Sequence, residues 1–336
     1  MAAKTGTKRP HFVPATYLRA WANDDQQVAV RRRNNVKVYT PNVINVAVEA
    51  GVYGRGALGQ AREEMFCSLE GSWPSLCEAL TIQGGEVDAE VRSQVSLFAA
   101  IQLIRTRERL AQAEFLSSFA AFSARRPVAK DDIRTFLTEH WLRFSPSDSE
   151  VEGAWSIAYV ALRDGEPPSK DEVISMLLSI AIREIAPRLI KFHWTVEHCR
   201  KSVLFTSDRP VMYWRPRSPR DNYEGIGLET ATEIRMPLTP HDLLVIRPIG
   251  VDSGIEPVQP RRFERVNAAI ASQCHEFVLA APTRMRELQL LTLASHRPVL
   301  RFNMAPGVRE LPDGRVEPMG DIVHMWVPVH AGVVGS

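Results

Sequence analysis

"EVDAEVRSQVSLFAAIQLIRTRERLAQAEFLSSFAAFSAR", residues 86–125, constrains the fold most, because it contains neither glycine nor proline over 40 positions. Glycine and proline are the residues that weaken or break helices most strongly. Their absence predicts either one long helix or two helices that meet at a tight joint. We expect this segment to be the central helical element of the protein.

The segments on either side of residues 86–125 also have helical patterns. Apolar residues spaced by three or four predict helices over residues 57–80, 131–143 and 149–162. Gly71 and Pro74 predict a kink or a break within the first of these. A further helix is predicted to start at Ser169, where the sequence SKDE has the spacing of a capping box. Together these patterns predict a helical core over residues 51–186.

The N-terminal region begins with "HFVPATYLRAWA", residues 11–22. Pro14 has the fixed φ of a first helical turn, and the apolar residues that follow it share one side of a helix. His11 therefore lies at a helix entrance, where unpaired backbone N–H groups attract an anion or an acidic side chain. This position suits a functional residue, and it equally suits a docked N-terminal segment.

A pattern of period two follows the first helix. Valines alternate with polar residues over residues 27–40, on either side of Asn34 and Asn35. Because asparagine tolerates a positive φ, the pattern predicts a β-hairpin with a two-residue turn. Residues 1–50 are thus expected to form an N-terminal helix and hairpin, and this hairpin could extend a sheet built from later strands.

The character of the sequence changes at Pro187. Short alternating or β-branched runs predict strands in "FHWTVEH", "SVLFTSDRPVMYW", "DLLVIRP", "EFVLA" and "IVHMWVPV", with one helix over 261–274. Residues 187–336 are therefore the sheet-containing part. We expect a single α+β domain over residues 1–336, in which a helical core packs on a small, mainly antiparallel sheet built from N- and C-terminal segments.

Composition excludes several classes of protein. Hydrophobic residues make up 45% of the chain and charged residues 24%, which indicates a globular protein. The formal net charge is only +2, which argues against a protein that coats nucleic acid. The densest positive run, Arg31 to Arg33, is interpreted as a solvated edge, with a phosphate site as the alternative.

Cysteine usage and hydropathy narrow the classes further. The four cysteines lack the close spacing of a zinc site and the density of a disulfide scaffold, so they are expected to be reduced. No window approaches the roughly 20 apolar residues of a membrane helix and no signal peptide is evident, so a cytoplasmic protein is expected. The sequence contains no glycine-rich phosphate loop, G-x-S-x-G elbow or H-E-x-x-H pair.

Several stretches, in their order along the chain, resemble the bacterial family DUF4238, a domain of unknown function. The stretches that carry the resemblance are "HFVPATYLRAWA", "NVA", "GVYG", Glu70 before a proline break, "IQLIRTRER", "FTSDRPV", "MPLTPHDLL" and Asn267. Members of the family often have a proline two residues after the helix arginine, where this chain has Arg107. The resemblance implies no activity, so it marks positions without assigning roles to them.

The long helical segment carries the first group of candidate residues. In "IQLIRTRER", Gln102, Arg105 and Arg109 are spaced to share one helix face. A guanidinium on a rigid helix suits a bidentate contact with a carboxylate or a phosphate. The alternative is a buried salt bridge between Arg105 and Glu70. Gln102 and Arg109 are candidate substrate-binding residues.

The second group lies in "FTSDRPV", where Asp208 follows a predicted strand. Loops at strand ends often carry functional groups on a rigid scaffold, which favours Asp208 as a site residue. The alternative is ordinary turn chemistry, in which Asp208 caps its own bend. Ser207 and Asn267, both within stretches that the resemblance marks, complete the candidate substrate-binding set.

One further pattern is weaker. Arg134 with His140, and Arg188 with His193, have the arginine-to-histidine spacing of HEPN ribonucleases. His193 lies in a strand pattern, so only the first pair fits a helix.

Two functional hypotheses follow. The first is a hydrolase that cleaves a phosphodiester, in which His11 and Glu70 are the acid and base, Arg105 holds an anionic group and Asp208 orients or binds a metal. It allows a divalent metal and a nucleic-acid substrate, although the sequence identifies no cofactor, metal ligand set or partner. The alternative is a non-catalytic binding or sensor protein for an anionic ligand or a protein partner, in which the same residues are structural polar ties.

Overall fold

A computed structural model describes residues 10–50, 53, 56–124, 127–142, 144–164, 168–201, 203–216, 225–249, 261–293, 299–311 and 315–326. The fold is α+β, with a helical core and small antiparallel sheets, as the sequence predicts. Among the described residues, no helix is long and apolar enough to cross a bilayer.

The N-terminal helix is short. Helix α1 spans Ala15–Leu18 and continues into a 3-10 turn over Arg19–Trp21. Pro14 has φ −57° and ψ 134°, so it caps the helix instead of forming its first helical residue. The hydroxyl of Tyr17 donates to the carbonyl of Pro237 at 2.8 Å and also bonds Thr206 at 2.8 Å. The helix is therefore fixed to Thr206 and Pro237, which lie on strands of two different sheets.

The predicted hairpin is confirmed, but its turn is not. Strands β1 (Ala29–Arg32) and β2 (Val38–Tyr39) pair in antiparallel register. Five residues, not two, separate them, because the N–H of Arg33 bonds the carbonyl of Glu276 at 2.7 Å and keeps that residue on the neighbouring strand. Asn35 accepts from the N–H of Lys37 at 2.9 Å, which closes the longer turn.

The arginine run beside this turn is not a solvated edge, because two of its members are buried. Arg31 is 6% exposed and donates to the carbonyls of Leu288 and Gln289, each at 3.1 Å. Arg33 is 8% exposed and donates to the carbonyl of His275 at 3.2 Å. Both guanidinium groups therefore donate to backbone carbonyls of the protein.

In the described part of the core, four helices precede residue 125. They are α2 (Gly56–Gly71), α3 (Trp73–Gln83), α4 (Ala89–Ile104) and α5 (Arg107–Ala124). The chain breaks at Ser72, and Pro74 lies in the first turn of α3, where a missing N–H costs nothing. Residues 86–125 thus form two helices with a tight joint at Arg105 and Thr106.

Four more helices complete the described part of the core, and a wide turn follows two of them. They are α6 (Lys130–Leu137) with a π-turn over Thr138–Leu142, α7 (Asp148–Asp164), α8 (Lys170–Ile180), a π-turn over Ala181–Ile185, and α9 (Ala186–Lys191). The capping box of Ser169 and Glu172 is confirmed. The expected boundary at Pro187 falls in the first turn of α9, and this helix extends to Lys191.

After α9, the described residues contain eight strands and two α-helices. They are β3 (His193–His198), β4 (Thr206–Ser207), β5 (Met212–Trp214), β6 (Glu233–Pro237), β7 (Asp242–Arg247), α10 (Arg262–Gln273), β8 (Phe277–Ala280), α11 (Met285–Leu290), β9 (Arg301–Glu310) and β10 (Val316–Trp326). Each predicted stretch contains a strand within the described residues, and residues 327–329 of "IVHMWVPV" lie outside them. No sequence pattern predicted β6, α11 or β9.

The strands form two four-stranded sheets and one long hairpin, instead of the single small sheet that the sequence suggests. The first sheet has the order β2-β1-β8-β4 and joins N- and C-terminal segments, as expected. The second has the order β3-β7-β6-β5 and consists of C-terminal strands alone. Strands β9 and β10 pair with each other. All of these pairings are antiparallel.

Buried apolar side chains form three clusters. The first contains α1, α2 to α4, α8, α9 and one face of each four-stranded sheet. The second surrounds α10, between the two sheets. The third contains the end of α5, together with α6, α7 and the start of β9. The single-domain organisation stays a prediction, but the N-terminal segment, the helices and the sheets share the first cluster.

Candidate functional site

Arg105 joins three segments that the sequence resemblance marks. It directly follows α4, and only 3% of it is exposed. One guanidinium nitrogen lies 2.5 Å from a carboxylate oxygen of Glu70. The other two nitrogens donate to the hydroxyl of Tyr53 and to the backbone carbonyl of His11. The buried salt bridge that was the alternative to a ligand contact is therefore present.

Aromatic rings complete the surroundings of this guanidinium. Its central carbon lies 4.4 Å from the ring centre of Phe66 and 5.1 Å from that of Tyr53. The Tyr53 hydroxyl donates in turn to the carbonyl of His11 at 2.7 Å. Burial raises the pKa of Glu70, and the charge of Arg105 opposes this increase. His11 thus participates in this cluster through its backbone.

Asp208 lies in a neighbouring cluster and is fully buried. Its carboxylate accepts from the N–H of His275 at 2.9 Å and from the N–H of Glu276 at 2.5 Å. Burial raises its pKa to about 7, although both backbone hydrogen bonds oppose this increase. The carboxylate therefore anchors the segment that connects α10 to β8.

An ion pair links the two clusters. Arg107, at the start of α5, lies 3.1 Å from the carboxylate of Glu276 and 3.4 Å from that of Glu49. The N–H of Glu276 is also one of the two donors to Asp208. Among the described residues, no hydrogen bond or ion pair joins Asp208 directly to Glu70 or Arg105. Three of the four predicted catalytic residues are thus in one cluster, and Asp208 is in the next.

The joint at Thr106 separates the predicted helix face into two parts. The hydroxyl of Thr106 accepts from the N–H of Arg109 at 3.2 Å and so caps α5. Because the helix is interrupted here, Arg109 does not share a face with Arg105 and Gln102, as the uninterrupted spacing would require. Arg109 donates to the side chain of Gln112 at 2.9 Å instead. Its guanidinium forms no ion pair with any residue in the described part of the chain.

The turn after β4 directs a second arginine toward α5. The hydroxyl of Ser207, and not the carboxylate of Asp208 as the turn alternative expected, accepts from the N–H of Arg209 at 3.1 Å. Arg209 lies 2.9 Å from the carboxylate of Glu108 and donates to the carbonyl of Gln273 at 3.3 Å. Ser207 therefore positions an arginine that the sequence analysis did not select.

Tyr213, on β5, lies within the electrostatic influence of three arginines. Burial raises the pKa of its hydroxyl, and the positive charges of Arg109, Arg209 and Arg188 lower it, with a net increase. Arg188 is itself ion-paired with Glu229 on the surface. We call Arg109, Arg188, Arg209 and Tyr213 the arginine–tyrosine cluster. It joins α5, α9, β5 and the loop after β4.

The remaining candidates occupy separate positions. Gln102 is 1% exposed, and its carboxamide forms no hydrogen bond within the described residues. The carboxamide of Asn267 accepts from the N–H of Phe205 at 2.9 Å and donates to the carbonyl of Val203 at 2.8 Å. Asn267 therefore holds α10 against the segment before β4.

Tyr53, Arg209 and Tyr213 are the participants that sequence reasoning missed. The marked stretches "GVYG" and "FTSDRPV" contain Tyr53 and Arg209. No motif or spacing in these stretches distinguishes the two residues from structural ones. In the part of the chain that the structure describes, no three histidine, cysteine or acidic residues are placed to hold a metal ion. The four cysteines form no disulfide.

Comparison with known proteins agrees with the resemblance in the sequence. A family model described as a protein of unknown function, DUF4238, matches residues 9–284. No curated protein and no solved structure matches the chain significantly. The matched range includes both clusters described above and ends before β9. The chain therefore belongs to the DUF4238 family of proteins of unknown function.

Proposed function

We propose that this protein binds a small anionic ligand at the arginine–tyrosine cluster. The observation that carries the proposal is Arg109, a half-buried guanidinium whose described hydrogen-bond partner is the neutral amide of Gln112. In the same cluster Glu108 neutralises Arg209 and Glu229 neutralises Arg188, so Arg109 is the positive charge left over. A planar guanidinium in such a position favours a bidentate carboxylate or phosphate.

The neighbouring groups support an anionic ligand. A hydroxyl can donate to an anion, and Tyr213 lies within the electrostatic influence of all three arginines. The hydroxyl of Ser207 holds the backbone N–H of Arg209, and the hydroxyl of Thr106 holds that of Arg109. Both guanidinium groups are therefore attached to fixed backbone. Fixed donors lose little conformational entropy when a ligand binds.

The competing hypothesis is hydrolysis of a phosphodiester by His11, Glu70, Arg105 and Asp208. It is less well supported, because all three guanidinium nitrogens of Arg105 already bond protein groups. Both carboxylate oxygens of Asp208 also accept backbone N–H groups in a fully buried position. These bonds are typical of structural ties. The cytoplasmic location stays a prediction.

Binding is tested by calorimetric titration with inorganic phosphate, a phosphate monoester and acetate. We expect Arg109→Gln to weaken binding of the preferred anion by roughly tenfold or more, since a charge-assisted pair is removed. The melting temperature should stay close to that of the wild type. Arg286→Gln, which removes an exposed charge on α11, is the matched control and should bind as the wild type does. Equal affinities of Arg109→Gln and wild type would contradict the proposal.

The hydrolase hypothesis is tested on the same preparations. Wild type and Glu70→Gln are incubated with RNA, single-stranded and duplex DNA and dinucleotide cofactors, with and without magnesium or manganese. Turnover by the wild type that disappears in a folded Glu70→Gln variant would overturn the assignment of Glu70 as a structural tie. If nothing is cleaved and Glu70→Gln melts at a lower temperature, that assignment is supported.

A further inference from the structure

A cleft separates the second half of α5 from α6 and the π-turn that follows it. Its volume is about 570 Å³, which is within the usual range for small-molecule sites. It is lined by Ser118, Ala121, Phe122, Asp132, Thr135, Phe136, Glu139 and His140. None of these residues belongs to the arginine–tyrosine cluster, so the cleft is a separate candidate site.

The lining residues of α6 and its π-turn share one side of the helix, since they are spaced by three and four from residue 132 to residue 140. Arg134 is directed away from the cleft. It lies 2.7 Å from the carboxylate of Asp148 and donates to the carbonyl of Pro146 at 3.0 Å. The predicted Arg134–His140 ribonuclease pair is therefore divided, with the arginine at the start of α7 and the histidine in the cleft.

The π-turn forms part of the cleft wall. It spans Thr138–Leu142 and contains two of the lining residues, Glu139 and His140. Such turns are rare in proteins and occur frequently at functional sites. Both residues are exposed. The π-turn therefore places a carboxylate and an imidazole side by side in the cleft.

Aromatic rings supply a flat surface in the cleft. The rings of Phe122 and Phe136 are stacked with their centres 4.6 Å apart, and the ring centre of His140 lies 4.7 Å from that of Phe136. Phe136 is 9% exposed, whereas Phe122 is only partly buried, so Phe122 presents ring surface to the cleft. Because aromatic rings prefer offset stacking on other flat rings, a planar ligand can stack on Phe122.

Glu139 supplies a hydrogen-bond acceptor beside these rings. Its carboxylate forms no hydrogen bond or ion pair with the described residues. The two oxygens of a carboxylate can accept two parallel N–H groups from one ligand. A ligand that is flat and carries two adjacent N–H donors therefore matches both the ring surface and the carboxylate.

We propose that the cleft between α5 and α6 binds a purine base with two adjacent N–H donors, the arrangement that guanine has. The base stacks on the ring of Phe122, and its two N–H groups donate to the carboxylate of Glu139. Stacking on an aromatic side chain together with hydrogen bonds to the edge of the base is the usual way in which proteins hold an unpaired base. This site is independent of the anion site proposed above.

The test compares guanosine, inosine and adenosine by calorimetric titration of the full chain. Nucleosides are used because they carry no phosphate that could bind at the arginine–tyrosine cluster. Inosine keeps the purine ring and lacks the 2-amino group, so it has only one of the two donors. We expect guanosine to bind roughly three- to tenfold more tightly than inosine, and adenosine to bind no more tightly than inosine. Equal affinities for guanosine and inosine, or no binding of guanosine, would overturn the proposal.

Glu139→Gln tests the hydrogen bonds. Glutamine keeps the size of the side chain but has one acceptor oxygen instead of two, so the variant should lose most of the preference for guanosine over inosine. Binding of adenosine should not change. The matched control is Glu78→Gln, an exposed glutamate on α3, which should keep the preference of the wild type. If Glu139→Gln keeps that preference as well, Glu139 does not hold the base and the proposal fails.

Phe122→Leu tests the stacking and Arg109→Gln the independence of the two sites. Leucine keeps most of the apolar volume without a ring, so all three nucleosides should bind roughly threefold or more weakly, provided that the melting temperature shows a folded variant. Unchanged affinities would show that the base does not stack on Phe122. Arg109→Gln should bind guanosine as the wild type does. Loss of guanosine binding in Arg109→Gln would instead place the nucleoside at the arginine–tyrosine cluster and contradict a site in the cleft.

Discussion

Arg105 connects three of the segments that carry the family resemblance. It holds the side chain of Glu70, the hydroxyl of Tyr53 and the carbonyl of His11, which belong to three separate parts of the chain. The pair with Glu70 could be foreseen, because opposite charges in two helices of one core tend to meet. The role of His11 could not, since every residue has a backbone carbonyl and no side-chain pattern reveals which one is needed.

A lysine at position 105 tests this arrangement. Arg105→Lys keeps the charge but replaces a planar fork with a single ammonium, which cannot reach all three acceptors in their present directions. We expect the free energy of unfolding to fall by about 2 kcal/mol or more, because buried acceptors lose their donors. Urea unfolding measures this change.

The control for that experiment is Arg107→Lys. Arg107 is 36% exposed in its side chain and pairs with Glu49 and Glu276 near the surface. Its replacement should cost less than about 1 kcal/mol. Equal losses at the two positions would show that the buried fork of Arg105 has no special role.

The raised pKa of Asp208 predicts how the stability of the protein depends on pH. Burial raises its pKa to about 7 in the folded protein, whereas an unfolded aspartate has a pKa of about 3.9. Between these values the folded protein holds a proton that the unfolded chain releases, so this group lowers stability as the pH rises. We expect a loss on the order of a few kcal/mol between pH 4 and pH 8.

The Asp208→Asn variant isolates that contribution. Asparagine does not titrate, and its single carboxamide oxygen can still accept one of the two N–H groups. The difference in unfolding free energy between wild type and variant should therefore move in favour of the variant as the pH rises from 5 to 7.5. Urea unfolding at both pH values measures it, and a difference that does not change with pH would contradict the raised pKa.

At the scale of elements, the sequence predicts what local chemistry determines. The break at Gly71 and Pro74 and the capping box at Ser169 were foreseen because each depends on residues that are close in the chain. The joint between α4 and α5 was one of two alternatives, since no glycine or proline marks it. It forms where Arg105 turns toward distant partners and Thr106 caps the next helix.

Strand β6 illustrates the opposite case. Glu233 and Arg235 alternate with apolar residues, a pattern that resembles a solvated face, yet Arg235 is 1% exposed. The two side chains pair with each other at 2.6 Å, and Arg262 pairs with the same carboxylate at 2.9 Å. Burial lowers the pKa of Arg235 to about 10 despite the charge of Glu233. The local sequence could not indicate this burial, because Glu233 also pairs with Arg262, which is on α10 and distant in the chain.

At the scale of the whole molecule, the third apolar cluster includes residues that lie outside the range matched by the family model. The match ends at residue 284, but the third cluster is completed by Leu300 and Phe302 from the start of β9. Trp141 donates to the carbonyl of Leu300 at 2.9 Å, so the hairpin is attached to α6 and its π-turn by hydrogen bonding as well as by packing. This chain thus closes its third cluster with a segment outside the matched range.

Phe302 tests whether the third cluster unfolds with the rest of the molecule. Phe302 is fully buried, and its ring centre lies 5.9 Å from that of Phe115 on α5. Phe302→Ala leaves a cavity among aromatic rings, and we expect a local loss of about 3–5 kcal/mol. Hydrogen exchange followed by mass spectrometry shows which amides lose protection. If the cluster is a separate cooperative unit, amides of α6 and α7 exchange faster while those of α4 do not change. A uniform loss of protection across α4, α6 and α7 would instead show that one cooperative unit contains all three clusters.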